Sequence, residues 1–149
     1  MTTAPDARDQ IAEVTALVAT HFPEVQVGGE IAIEQISETG CRLRLKAHPS
    51  HLRPGETISG PTMFKLADLS VWVMLLGIHG ERALQAVTTS LTINFLNRPQ
   101  AADLIGEAHL LKLGRRLAVA DVRITSALDS RLVAHATATY AIPPETPGA

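Results

Sequence analysis

The sequence predicts an α+β fold in which a curled antiparallel sheet wraps one long central helix. The first observation is residues 58–77, ISGPTMFKLADLSVWVMLLG, which are apolar on nearly every side at helical length. The second is that two short alternating segments precede this helix and three or four long ones follow it. A helix that is apolar all round needs cover on every side, and a curled sheet leaves one side open. We therefore also predict that a second subunit covers the helix.

Length and composition predict a single domain. The 149 residues, 46% of them hydrophobic, suffice for one substantial core but not comfortably for two. We predict one domain over residues 1–149, with its core at about 29–143, an N-terminal helix at 4–22 and a frayed tail at 144–149.

Charge and cysteine content narrow the function classes. The formal net charge is −2 and the charged residues are scattered, which argues against a nucleic-acid or polybasic membrane contact. The single cysteine, Cys41, has no partner for an intrachain disulfide, and no secretory signal pattern is recognisable. The longest apolar stretch, residues 66–78, is shorter than the ~20 residues that a bilayer needs. We therefore expect a cytoplasmic protein with no membrane or nucleic-acid partner.

The elements before the central helix follow two different periods. Residues 4–22 have helical spacing, with Pro5 near the start and an apolar face formed by Ile11, Val14, Leu17 and Val18. From Gly29 the period becomes two, and two half-buried strands joined around residues 38–40 are typical of a hairpin.

Clear boundary signals delimit the central helix. Ser59 or Gly60 can cap its N-terminus, Pro61 suits its first turn, and Gly80 lies just beyond its end. The strands predicted after it are residues 84–96, 104–113, 117–126 and 132–142, with tight connections at LGRR and ALDSR. In the first of these strands the apolar face holds Val87, Thr89, Leu91, Ile93 and Phe95, and the small polar face includes Thr88 and Asn94.

Asp68 is the unusual residue of the central helix. A carboxylate in apolar surroundings is costly unless a partner compensates it. A structural interpretation ties it to a backbone N–H, a hydroxyl or Lys65, which lies three residues earlier on the same face. A functional interpretation makes it a general base or a nucleophile in a cleft.

Four segments, taken together and in order, resemble the hotdog-fold acyl-CoA thioesterases of the phenylacetate-pathway type. They are SGPTMFKLAD, VTTSLTINFLNRP, LLKLGRR and LVAHATATYAIP, within a match that runs from about Gly29 to Pro143. The resemblance implies a hotdog fold and a hydrolase that releases a carboxylic acid and free CoA. It also implies a homodimer or a dimer of dimers, with coenzyme A entering only as part of the substrate and with no metal or other cofactor.

The resemblance also assigns the reacting groups. The catalytic carboxylate of the family falls on Asp68, and its carbonyl-polarising backbone amide falls on Gly60. Ser59 stands where the family usually has His, and Pro61 stands where it has Gly. Both flank the site as predicted substrate-binding residues, and these departures remove one ring donor and one N–H.

Helix geometry adds a constraint that is independent of the family. Eight residues separate Gly60 from Asp68, which is roughly 12 Å along a helix. One thioester carbonyl cannot contact both on the same chain. If both act on it, they come from two subunits whose central helices run side by side in opposite directions about a two-fold axis.

Further residues are predicted to bind substrate. In the resemblance, the turn that holds Arg115 and Arg116 contacts the coenzyme A portion, and guanidinium groups suit phosphate. Asn94 can bond a substrate amide or only the neighbouring strand. Trp72, one turn after Asp68, can narrow the acyl pocket, although a core tryptophan is the more common explanation. Thr88, Thr89 and Arg98 are additional candidates.

Two other functions stay open. One is a non-catalytic acyl-CoA-binding hotdog domain, for which Ser59 and Pro61 would mark a degraded site. The other is a hydratase or dehydratase on the same scaffold, suggested by the segment HFP at His21, although two strands separate it from the acid-bearing helix. His48 and His51 precede the central helix but lack the ligand spacing of a metal site, and such loop histidines are most often exposed.

Overall fold

A computed structural model describes residues 6 to 145 of the chain. The helices are α1 (Ala7–His21) and α2 (Gly60–His79), with short 3-10 helices at Pro23–Val25, Pro49–His51 and Gly80–Gln85. The strands are β1 (Ile31–Ile36), β2 (Gly40–Leu45), β3 (Leu52–Arg53), β4 (Thr57–Ile58), β5 (Val87–Phe95), β6 (Leu104–Leu113), β7 (Leu117–Ser126) and β8 (Leu132–Ala141).

Six strands form one antiparallel sheet in the order β1-β2-β6-β7-β8-β5, and β3 pairs with β4 in a separate small hairpin. The sheet curls around α2, which contacts β2, β5, β6, β7 and β8. The predicted architecture, a sheet wrapped around a central apolar helix with a further N-terminal helix, is confirmed. Strands β1 and β5 form the two edges of the sheet.

The predicted boundaries of α2 are close to those observed. Ser59 caps the helix, its Oγ accepting the Thr62 N–H at 3.3 Å, and Gly80 ends it with φ +61°. Length and composition alone would let the helical stretch Gly60–Gln85 cross a membrane, but 61% of its most apolar window is buried inside the fold. It is the core helix around which the sheet closes.

A close approach of β6 to α2 sets the depth of the core. A Cβ built on Gly106 would lie 2.7 Å from Ser70 Oγ and 3.1 Å from Leu66 Cγ, so only glycine fits without movement. Ser70 donates its hydroxyl to the Leu66 carbonyl at 2.7 Å, and Cys41 donates its Sγ–H to the Ser70 carbonyl at 3.0 Å. Burial raises the pKa of Cys41 to about 12, which makes it an inert structural thiol.

The strand predicted at residues 84–96 differs from the observed β5. Residues 80–85 form a 3-10 helix, held by the Trp72 indole N–H donating to the Ala83 carbonyl at 2.9 Å. The pairing of β5 with β8 also shifts register between Thr88 and Ser90, which is a β-bulge. A bulge inserts one residue and so reverses the alternation on one side of it. Thr88, predicted on the polar outer face, turns toward α2 for this reason.

The N-terminal helix is observed as α1, with Asp6 as its cap and Val14 and Val18 buried against the core. The predicted helix began at residue 4 and ended at 22. Its first residues, including Pro5, lie outside the described part of the chain, as do residues 146–149 of the predicted tail.

Candidate active site

The carboxylate of Asp68 is held by two hydroxyl groups from neighbouring strands. Thr88 donates its Oγ1–H to Asp68 Oδ1 at 2.6 Å, and Tyr140 donates its hydroxyl to the same oxygen at 2.6 Å. The Tyr140 hydroxyl also lies 3.0 Å from the Asp68 carbonyl oxygen. Thr88 and Tyr140 are direct partners across β5 and β8, so one position in the sheet supplies both donors.

The second carboxylate oxygen, Asp68 Oδ2, is left open. No residue from 6 to 145 donates a hydrogen bond to it, and it is not among their buried unpaired side-chain atoms. Asp68 itself is half-buried. The carboxylate is therefore fixed in orientation through Oδ1 and leaves Oδ2 free to accept a further hydrogen bond.

Tyr140 is suited to remain a hydrogen-bond donor. Burial raises the pKa of its phenol well above the ordinary value, and the hydrogen bond to the Asp68 carboxylate raises it further. The phenol is consequently neutral across the whole range of pH in which a carboxylate acts as base or nucleophile.

The structure decides among the partners that the sequence allowed for Asp68. Lys65 is exposed and forms no ion pair with Asp68 in the described part of the chain. The compensation comes from hydroxyls. Tyr140 is the contributor that sequence reasoning missed, although it is the single tyrosine of the chain and lies among small Ala and Thr residues of its strand.

The start of α2 offers one unpaired amide. Pro61 has no N–H, Thr62 donates to Ser59 Oγ, and Met63 donates to the Ser59 carbonyl at 3.2 Å. The Gly60 N–H donates to no acceptor within residues 6–145. Among the first four residues of α2, Gly60 thus carries the single free N–H, at the positive end of the helix dipole.

Phe95 packs against Gly60. Its ring is 3.3 Å from where a Cβ on Gly60 would be, so glycine lets the ring pack against the first turn of the helix. Phe95 remains 52% exposed in this chain. The amide of Gly60 therefore lies beside an apolar ring at the edge strand of the sheet.

These geometric features accord with a match to a known family. The family model described as thioesterase superfamily matches residues 55–134, more than half of the chain. The chain belongs to the thioesterase superfamily. Its reaction class is therefore thioester hydrolysis, and the match includes both Gly60 and Asp68.

Solved structures agree with this membership. A candidate thioesterase from Silicibacter sp. is 43% identical over 88% of this chain and 90% of its own length, with a TM-score of 0.79. Zebrafish thioesterase superfamily member 2 is 20% identical over 94% and 100% of the two chains, with a TM-score of 0.75. A mutant of the phenylacetic acid degradation protein PaaI from Thermus thermophilus is 21% identical over 76% and 93%, with a TM-score of 0.67.

The first of these likenesses shows the family and the other two show the fold alone. The predicted membership in the hotdog-fold thioesterases is confirmed. No curated protein sequence matches this chain.

In this member of the thioesterase superfamily, the free Gly60 amide and the Asp68 carboxylate lie far apart on one helix. Gly60 opens α2 and Asp68 lies eight residues later, roughly 12 Å along the helix axis. In a single protomer the free amide and the open carboxylate are thus separated along α2.

The predicted phosphate-binding arginines lie in the turn between β6 and β7. Arg115 and Arg116 are exposed, form no ion pair among residues 6–145, and line a cleft of about 650 Å³ together with Arg82 and His79. Arg82 donates to the Arg115 carbonyl at 3.3 Å and so ties this turn to the 3-10 helix that follows α2.

Trp72 and Asn94, two more predicted substrate contacts, have different surroundings. Trp72 is 6% exposed, and its ring meets Phe22 edge to face at 5.9 Å between centroids. Asn94 lies between Ile93 and Phe95, so alternation along β5 turns it to the outer face of the sheet. Both roles stay predictions.

The histidines of the loop before α2 differ from the expectation of exposure. His48 is exposed, but His51 is buried at 8% and contacts Glu30 through its Nε2. No group of three or more His, Cys, Asp or Glu in the described part of the chain is arranged to hold a metal.

Proposed function

We propose that this protein hydrolyses acyl-CoA thioesters to a carboxylic acid and free CoA, with Asp68 and the Gly60 amide as the reacting groups. The observation that carries the proposal is the open Oδ2 of Asp68, held in orientation by Thr88 and Tyr140. A half-buried carboxylate that has one oxygen hydrogen-bonded and the other free is suited to act as a general base or a nucleophile.

The chemistry needs an oxygen delivered to the carbonyl carbon. In one route Asp68 Oδ2 takes a proton from water, whose oxygen attacks the carbonyl carbon. In the other route Oδ2 attacks directly and forms a mixed anhydride, which water then hydrolyses. In both, the C–S bond breaks, the sulfur leaves as a thiolate that takes up a proton, and the Gly60 N–H donates to the oxygen that becomes negative.

Because Gly60 and Asp68 of one chain are too far apart, the site is composed of two subunits. Exposed apolar side chains along the β5 edge support such an assembly: Val87 is 58% exposed, Phe95 52% and Leu96 49%. An edge strand with apolar side chains favours pairing with a second copy. We infer a homodimer, or a dimer of dimers, with two composite sites per pair.

The coenzyme A arm carries phosphates and needs cationic partners. Arg115 and Arg116 are free of ion pairs within residues 6–145 and flank an open cleft. Their guanidinium groups are suited to bidentate phosphate contacts. Water and Asp68 supply what the reaction requires, so we propose no cofactor, and we propose a cytoplasmic location in which acyl-CoA is at hand.

The test of the carboxylate is free-thiol release from acyl-CoA thioesters, from benzoyl-CoA to palmitoyl-CoA, by wild type and Asp68→Asn. We expect kcat/KM to fall by about a thousandfold in the variant, because the amide keeps the shape and the hydroxyl contact but cannot act as base. Asp129→Asn, in the exposed turn after β7, is the matched control and should retain wild-type rates.

Other results would change the conclusion. If wild type binds acyl-CoA but releases no thiol, the chain is a binding domain. If it releases no thiol but, in a parallel assay, adds water to an enoyl-CoA or removes water from a 3-hydroxyacyl-CoA, it is a hydratase or dehydratase. Equal rates for wild type and Asp68→Asn would remove Asp68 from the reaction.

The test of the amide uses two substitutions at one position. Gly60→Pro removes the N–H at a helix position that tolerates proline, and we expect kcat to fall about a hundredfold. Gly60→Ala keeps the N–H while its Cβ presses on Phe95 at 3.3 Å, so it controls for the steric change and should cost only a few-fold. A similar loss in both variants would mean that Gly60 matters for packing rather than as a donor.

A further inference from the structure

The segment that leads into α2 is held by one buried histidine. All four polar atoms of His51 are engaged: its N–H donates to the His48 carbonyl at 2.9 Å, and its carbonyl accepts the Ser59 N–H at 2.8 Å. In the ring, Nδ1 accepts the His48 N–H at 3.2 Å, and Nε2 contacts the Glu30 carboxylate. The loop is thereby closed on itself and tied to the residue that precedes β1.

These contacts define the state of the ring. Because Nδ1 accepts a backbone N–H, the ring proton of the neutral imidazole is on Nε2 and is donated to Glu30. The side chain of His51 is 10% exposed and that of Glu30 is 21% exposed. The pair is thus a largely buried clamp and does not offer its ring nitrogens to a ligand.

The clamp acts on the peptide group that carries the free amide. Ser59 is held from one side by its N–H on the His51 carbonyl, and from the other by its carbonyl, which accepts the Met63 N–H. In a trans peptide the N–H points opposite to the carbonyl. Fixing Ser59 at both ends therefore fixes the direction in which the Gly60 N–H points.

Apart from the clamp, this segment is anchored at its two ends. Between His51 and Ser59 the chain forms the β3–β4 hairpin, whose exposed tip includes Gly55 and Glu56 at positive φ, while Ile58 at its end is buried in the core. The hairpin meets the rest of the fold through a bridge between Thr57 and Gln100 and a longer Ile58 N–H to Pro99 carbonyl contact of 3.4 Å.

We propose that Glu30 and His51 are positioning residues for the Gly60 amide, and that their contact sets the alignment of this donor with the thioester carbonyl. The inference rests on the proposed function, in which that amide polarises the carbonyl. An oxyanion donor contributes only when it is already aligned as charge develops. Loosening the clamp should therefore lower kcat and leave substrate binding in place.

The experiment measures steady-state kinetics on the acyl-CoA that wild type cleaves fastest. Glu30→Leu removes the acceptor, and His51→Asn keeps an acceptor near Nδ1 but loses the nitrogen that reaches Glu30. We expect kcat to fall about tenfold in each variant and KM to stay within twofold of wild type, because the Gly60 N–H then stabilises the transition state less well. Glu30→Gln keeps Oε1 as acceptor and should restore most of the rate. His109→Asn, at an exposed histidine on β6 outside this loop, is the matched control.

A binding measurement separates alignment from general damage. We would compare two CoA analogues of the same chain length, one with a ketone in place of the thioester and one with a plain thioether. Wild type should bind the ketone more tightly because the amide donates to its oxygen. In Glu30→Leu and His51→Asn we expect this advantage to shrink about tenfold, while the affinity for the thioether and the oligomeric state stay those of wild type. The melting temperature of Glu30→Gln should also equal that of wild type.

Several results would overturn the inference: unchanged kcat in both variants, a raised KM with kcat retained, an intact ketone advantage, or an equal loss in His109→Asn. Should Glu30→Leu not fold, His51→Asn and Glu30→Gln carry the same comparison. If wild type cleaves thioesters and Asp68→Asn does not, while the clamp variants match wild type, this inference alone fails. If wild type cleaves none, the proposed function fails and the inference with it.

Discussion

At the scale of single residues, the site depends on how one carboxylate is held. Thr88 and Tyr140 both donate to Oδ1 of Asp68, so the side chain has one orientation and one free oxygen. A hydrogen bond to a charged group contributes about 1.5–3 kcal/mol, enough to offset part of the cost of holding a carboxylate against an apolar core. The polar residue in the apolar helix is thus both compensated and available.

Removing one of these donors should affect turnover more than binding. For Tyr140→Phe we expect kcat to fall about tenfold with KM nearly unchanged, because Oδ2 is no longer held in place for attack. Thr88→Val should have a similar effect, and the double variant should lose more than either. Steady-state kinetics on the preferred acyl-CoA measures this.

The control for this prediction is Thr137→Val, which removes a hydroxyl from the exposed face of the same strand as Tyr140. It should retain the wild-type kcat. If Tyr140→Phe also retains it, the phenol serves only to satisfy Asp68 in the core.

At the scale of elements, the packing of β6 on α2 fixes the helix relative to the strands that carry Thr88 and Tyr140. The approach is close because Gly106 has no side chain where it faces Ser70 and Leu66. Protein interiors are close-packed, so a methyl group added there has no room to enter.

Gly106→Ala should therefore destabilise the protein by about 1–3 kcal/mol, because its Cβ would overlap Ser70 Oγ. Thermal unfolding followed by circular dichroism measures the effect. Ser70→Ala in the same chain should recover part of the loss. Gly29→Ala, whose Cβ would meet only ordinary contact at 3.6 Å, is the control, and an equal change in both would contradict the packing argument.

At the scale of the whole molecule, the proposed function requires two subunits, because Gly60 and Asp68 lie eight residues apart on α2. Asp68 and Gly60 can meet one carbonyl only if the α2 helices of two subunits lie antiparallel about a two-fold axis. The exposed apolar residues of the β5 edge are in keeping with this arrangement, because such residues are otherwise a liability in a monomer.

Mixing two inactive variants tests the composite site directly. Asp68→Asn and Gly60→Pro should each be inactive as homodimers. The two variants are unfolded, mixed in equal amounts and refolded together. About half of the dimers are then mixed, and each mixed dimer has one of its two sites with both wild-type groups, so about a quarter of wild-type activity should return. The measurement is thiol release as a function of the mixing ratio.

No recovery from mixed dimers that have formed, shown by differential tagging, would contradict the composite site. A monomer of full activity in analytical ultracentrifugation would contradict it as well. Each variant refolded alone is the control for residual activity.

Much of the fold follows from local sequence. The apolar circumference of residues 58–77, the Ser59 cap, Pro61 and Gly80 predict α2 nearly as it is observed, because capping and helical periodicity depend on neighbours within a turn. Strand alternation and tight turns likewise predict β6, β7 and β8. The position of Asp68 on α2 follows from the same pattern, and its candidacy as a reacting group rests on the cost of burying charge.

Only the tertiary structure decided what surrounds that carboxylate. Tyr140 reaches Asp68 across 72 positions of sequence, and Thr88 reaches it because a bulge turns β5 against its simple alternation. The engagement of His51 with Glu30 likewise brings together parts of the chain that are distant in sequence. The physical reason is the range of the interactions: caps and periods are set within a few residues, whereas strand register, bulges and buried hydrogen bonds depend on how distant segments pack together.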